Sequence, residues 1–162
     1  MRSDYIISIL VFIPVLIVQT TVIPLISLNG VIPDLVLIFL VFYAIKNGQV
    51  YGTILGFIYG LLFDLITGSL LGSAMLSKTI SGFIAGYFSN ENKREQYLKS
   101  YNFALIVLLC AAIDSIVYSF FSAIELNRNV FLIFFQQGML PGLYTSAISI
   151  FLIFFLPRRR SV

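Results

Sequence analysis

Charge in this chain is pushed into the gaps between long apolar runs, and that distribution restricts the folds open to it more than any motif does. Charged residues make up 10% of the sequence and hydrophobic ones 59%, where an ordinary soluble domain carries about 25% charged residues. A chain of 162 residues has too much surface for its volume to hide that much apolar material from water. Lipid is therefore the expected solvent. The expected fold class is an all-α integral membrane protein built as a six-transmembrane-helix bundle. A β-barrel does not fit, because barrel strands are about 10 residues of alternating polarity, and these runs are longer and continuous.

A transmembrane helix needs roughly 17–25 mostly apolar residues. Spans are read at about 5–26, 33–45, 49–66, 69–88, 101–124 and 130–156, making 1–162 a single transmembrane domain. The first run exceeds the 7–15-residue core of a cleaved signal peptide, and no small-x-small site follows it. It is read as a retained helix, with Pro14 and Pro24 as kink positions. The second run is short for a crossing and is expected to tilt or to lie where the bilayer is thinned. Pro33 suits its first turn, where a missing N–H costs nothing. Asp34 suits the positive end of the helix dipole. The sixth run is interrupted near Gly138, Pro141 and Gly142.

Orientation follows from the placement of Lys and Arg. With the N-terminus inside, the inner segments hold Arg2, Lys46, Lys93, Arg94, Lys99, Arg158, Arg159 and Arg160, and the outer loops hold Arg128. Both termini are thus expected in the cytoplasm. The formal net charge of +3 is then a topology signal, and no nucleic-acid partner is expected. The basic tail can also meet anionic lipid head groups, although anchoring alone explains it.

Little in the chain supports catalysis. There is no histidine, and the one cysteine, Cys110, sits within an apolar run. No metal-ligand spacing, phosphate-binding loop or nucleophile elbow is present. Asp34 and Asp114 share no spacing that would make them an acid/base pair. No catalytic residue, metal or cofactor is expected, and no ligand-binding set is picked out.

Gly48, Gly52, Gly56 and Gly60 recur every four residues, with Asp64 one turn further on. That spacing keeps them near one helical face. Small residues so placed let backbones approach closely in lipid. The next run has a matching row of Ala74, Lys78, Gly82 and Gly86. Packing of these two faces within one chain is the favoured reading, and a homodimer interface is the alternative. Each face carries one charge. Side chains lean toward the N-terminus of their own helix, so Asp64 and Lys78 lean toward each other across a depth gap of roughly 9 Å at ~1.5 Å per residue. The expectation is an intramembrane ion pair between them. Asp114 is a competing partner, a three-way cluster of Asp64, Lys78 and Asp114 is a further arrangement, and Asp64 could instead reach interfacial water. Gln136, Gln137 and Pro141 mark a candidate partner face, or a kink filled by neighbouring helices.

Taken together, Pro33-Asp34-Leu35, then Gly52, Gly56, Phe57, Gly60, Leu61 and Asp64, then Gly68 and Leu71-Gly72 resemble the MreD family of bacterial rod shape-determining proteins. The length, Pro141, Gly82 and Gly86 and the basic tail suit the resemblance, whose diagnostic part is about 33–86. It implies a non-enzymatic membrane scaffold in cell elongation and peptidoglycan synthesis, seated in the bacterial cytoplasmic membrane. The partners it implies are MreC above all, with RodA, a class B penicillin-binding protein and MreB in the same complex. It also implies a fold similar to the S-components of energy-coupling-factor vitamin transporters, which makes a substrate-binding S-component the alternative function. Against that alternative, the first run lacks the alanine or glycine of a small-residue docking motif.

Overall fold

The computed structural model describes residues 2–27, 32–90, 94–98, 100–126 and 140–152. They form helices and turns, with no strand among the described residues. Helix α1 (Arg2–Thr21) runs through Pro14 into a 3-10 turn at Ile23–Ile26. Then come α2 (Leu35–Asn47), α3 (Gln49–Thr67), α4 (Ser73–Tyr87), the single turn α5 (Arg94–Tyr97), α6 (Ser100–Leu126) and α7 (Leu140–Leu152).

Local chemistry sets the boundaries. Asp34 caps α2, its Oδ1 accepting from the Leu37 N–H at 2.9 Å, which satisfies one of the orphan donors of a first turn. One residue, Gly48 at φ 101°, separates α2 from α3. Only glycine takes that conformation without strain, so the chain reverses with almost no loop. Gly68 (φ 67°) and Gly72 (φ 108°) bracket the turn from α3 to α4. A Cβ at either would meet nothing within 4 Å, so these two motif glycines serve the left-handed backbone of the turn and not close packing of the helices.

The helix expected to be a short crossing is the centre of the bundle. α2 has 13 residues, about 20 Å of helix, and is packed by α1, α3, α4, α6 and α7. Val36, Leu37, Ile38, Leu40, Val41, Ala44 and Ile45 are all buried. A helix enclosed by protein need not match the bilayer, so tilt or thinning is not required. By length and composition two helices, α3 and α6, are able to cross a membrane; the apolar stretches 10–25, 35–47 and 140–151 are shorter.

The outer surface of the bundle is apolar. Leu10, Ile13 and Ile17 of α1, Ile54 and Phe57 of α3, Phe83 of α4, Leu105, Ile116 and Phe120 of α6, and Phe151 of α7 are exposed. Ser8, Gln19, Asp64, Ser77, Lys78, Ser81, Thr145 and Ser149 are buried. Polar groups inside and large apolar side chains outside suit lipid better than water.

Candidate functional site

The site is assembled on the α3–α4 hairpin, the most extensive helix contact in the fold. The two small-residue rows face each other rung by rung. A Cβ at Gly52 would strike the Gly82 carbonyl, one at Gly56 the backbone of Lys78, one at Gly60 that of Ala74, and one at Gly86 that of Gln49. Glycine is required on these rungs because backbone meets backbone. The close approach also sets where Asp64 and Lys78 can reach.

Asp64 does not pair with Lys78, and the expected ion pair is corrected. Its Oδ1 accepts from Ser69 Oγ (2.8 Å), Ser73 Oγ (3.3 Å) and the Ala74 N–H (3.1 Å). Its Oδ2 accepts from the N–H groups of Gly72 (2.9 Å) and Met75 (3.0 Å). The carboxylate therefore caps α4, where orphan N–H groups and the positive dipole end converge. The short glycine-bounded turn folds these donors onto Asp64, and they take the place of a lysine that lies about two turns deeper, level with Gly56.

Lys78 turns the other way. Its Nζ lies 2.5 Å from Asp34 Oδ2 and 3.5 Å from Asp114 Oδ2, and 5.6 Å from the Phe63 ring centre. The charge cluster thus joins α4 to the start of α2 and the middle of α6. Asp34 enters it through its backbone as well. The Asp34 N–H donates to Thr145 Oγ1 (2.9 Å), and that hydroxyl donates to the Pro141 carbonyl (2.7 Å). Gln19 of α1 clasps both sides of Asp34: its Nε2 donates to the Pro33 carbonyl (2.8 Å) and its Oε1 accepts from the Leu35 N–H (2.9 Å). The Pro33-Asp34-Leu35 motif is therefore held by α1, α4 and α7 together.

Gln19 and Thr145 were not singled out from sequence. The one usable signal was Gln19 itself, an amide inside the apolar 5–26 run. A second polar tie lies elsewhere on α1 and α3, where Ser8 Oγ and Tyr51 Oη are 2.6 Å apart and Tyr59 Oη donates to the Ser8 carbonyl at 2.9 Å. Tyr59 stacks on Phe12 with ring centres 3.7 Å apart. Cys110 is buried against α4, where Ser81 Oγ donates to its carbonyl at 3.2 Å. Of the candidate partner face, Pro141 lies in α7, while Gln136 and Gln137 lie outside the described residues.

Beside the charge cluster is a cavity of about 360 Å³, reached by Gln19, Asp34, Phe63, Lys78, Asp114, Tyr118 and Thr145 among others. Among the described residues no three His, Cys, Asp or Glu side chains gather in a way that could hold a metal. The arrangement can tie helices together and can present buried charge to a small space.

Among the described residues, an all-helical bundle with an apolar exterior, a glycine-laddered hairpin and a buried charge cluster fits the class of helical membrane proteins. The chain belongs to the MreD family: the family model for rod shape-determining protein MreD matches residues 1–158. No curated protein and no solved structure matches the chain. Membership gives it a role in rod-shape determination, in a family not known for enzymes.

Proposed function

We propose that the chain is a non-enzymatic scaffold of the cell-elongation machinery in the bacterial cytoplasmic membrane, acting with MreC. RodA, a class B penicillin-binding protein and MreB would belong to the same complex, and peptidoglycan synthesis would be the process it serves. The observation that carries this reading is the family match over residues 1–158. The bundle supports it. Lipid gives no hydrophobic force between helices, so partner recognition rests on shape and close packing, and a body locked by five ties to one carboxylate and by a buried lysine keeps its outer faces fixed. In this reading the chain crosses the membrane six times, with both termini in the cytoplasm.

Affinity purification from native membranes tests it. MreC should co-purify. Its absence, with no other cell-wall component recovered, would sink the proposal. The cavity beside Lys78 favours one second reading, a ligand-binding S-component similar to those of energy-coupling-factor transporters. Recovery of an ATPase module with a bound vitamin would establish that one instead.

A further inference from the structure

The wall around α2 has one opening. Helices α1, α3, α4, α6 and α7 pack along it, where about six cylinders of equal width fit around one at interaxial distances of roughly 8–10 Å. The wall is joined in series: α1 meets α3, α3 meets α4, α4 meets α6 and α6 meets α7. Among the described residues α1 touches neither α6 nor α7, so the series does not close. Contacts made by α2 place the opening. Ala44 faces Gly52 of α3, and Leu40 faces Gly82 of α4. Phe42 meets the Phe103 ring of α6 edge-on, and Tyr43 reaches Ser8 of α1. At about 100° per residue, Leu35, Phe39 and Lys46 fall on the sector between Phe42 and Tyr43. Leu35, Phe39, Tyr43 and Lys46 are the partly exposed side chains of this helix, while Val36, Leu37, Ile38, Leu40, Val41 and Ile45 are buried. Lys46 ends the stripe and forms no ion pair among the described residues.

We propose that this groove, floored by Leu35, Phe39 and Tyr43 and walled by α1 on one side and by α6 and α7 on the other, seats a single transmembrane helix of a partner protein. The vacancy is one helix wide. A second copy of this chain offers helices already packed side by side, and such a bundle is too broad for the slot. Close packing drives helix association in lipid, so the partner helix presents small residues to Phe39 and Tyr43. Lys46 selects a partner whose helix carries an acidic residue at the end level with the α2 C-terminus. Complementary charge fixes the register of a contact that apolar packing alone leaves free to slide. The proposal rests on the scaffold reading for the existence of a partner, and it names the place where that partner is held.

Photo-crosslinking of the full chain in native membranes tests it. The photoreactive analogue p-benzoylphenylalanine replaces Phe39, and in a control it replaces Phe57, which is exposed on α3. Position 39 should give one adduct with another protein, mapped by mass spectrometry to a residue inside an apolar membrane-spanning segment. Position 57 should give lipid adducts. The protein adduct should fall at least about fivefold when Lys46→Glu sets like charges face to face, and should return when the acidic residue of the captured segment is changed to lysine. Adducts at position 39 only with lipid, with a second copy or within the same chain overturn the proposal. So does a protein adduct indifferent to Lys46→Glu. The first set of outcomes is read with Lys46 intact and decides the matter even if Lys46→Glu does not fold. The two readings fail separately. Recovery of MreC with only lipid captured at position 39 sinks the groove and leaves the scaffold. Capture of a charge-matched helix from a protein outside cell-wall synthesis keeps the groove and sinks the scaffold.

Discussion

Removing Lys78 would strand the Asp34 and Asp114 carboxylates in apolar surroundings, because the lysine Nζ is the ion partner they share. Breaking a buried pair from one side costs about 3–5 kcal/mol, so Lys78→Ala should lower the melting temperature of the purified protein sharply. A double-mutant cycle separates the partners. Lys78 and Asp34 should couple by more than about 1 kcal/mol, and Lys78 and Asp64 by less than about 0.5 kcal/mol. A larger Lys78–Asp64 coupling would contradict the capping role given to Asp64. That role was hidden in the sequence for a definite reason. Spacing gave the depth of Asp64 and Lys78 along their helices, but the direction of each side chain depends on the donors the intervening turn brings close. Gln19 and Thr145 were hidden for another: isolated polar residues in apolar helices carry no periodicity, and Thr145 meets Asp34 across 111 positions of sequence.

The α3–α4 hairpin was the most legible element, because four-residue spacing of small side chains is a direct statement about one helical face. The structure adds that each rung is backbone against backbone. Gly56→Leu or Gly60→Leu should therefore abolish folding or partner recovery, and even Gly56→Ala should destabilise, since its Cβ would collide with the Lys78 carbonyl. Gly68→Ala tests a different mechanism. Its Cβ meets open space, so the cost is the left-handed backbone alone, roughly 1–2 kcal/mol. Thermal melts of the four variants should rank Gly68→Ala as the mildest. Equal losses at Gly56 and Gly68 would mean the hairpin tolerates separation. The place of α2 was the least legible. Its run is apolar all round, which is what a lipid span and a buried core helix share, and only tertiary contact distinguishes them.

For the whole molecule, the apolar exterior was readable from composition, since a small chain with few charges must turn oily surface outward. Orientation rests on the charge count, and Arg128, Lys93, Lys99 and the basic tail all lie outside the described residues. It yields an independent prediction. Alkaline phosphatase, active only outside the cytoplasm, should be inactive when fused after Val162 and active when inserted near Arg128. The reverse pattern would invert the proposed topology. The folded body is knit from distant parts: Gln19, Asp34, Lys78, Asp114 and Thr145 come from five different helices or their caps. Loss of one tie should therefore be felt throughout the bundle.

The enclosure of α2 also bears on how the protein is made. A helix of 13 residues is too short to rest stably in a bilayer of about 30 Å hydrocarbon thickness, and its neighbours α3, α4, α6 and α7 all follow it in the chain. During synthesis α2 leaves the ribosome before most of its walls exist. It must wait, at the interface or against the insertion machinery, until the hairpin and then α6 arrive to close over it. Final assembly is therefore a late, collective event, and a nascent chain halted before α4 should remain open to proteases that the finished protein resists.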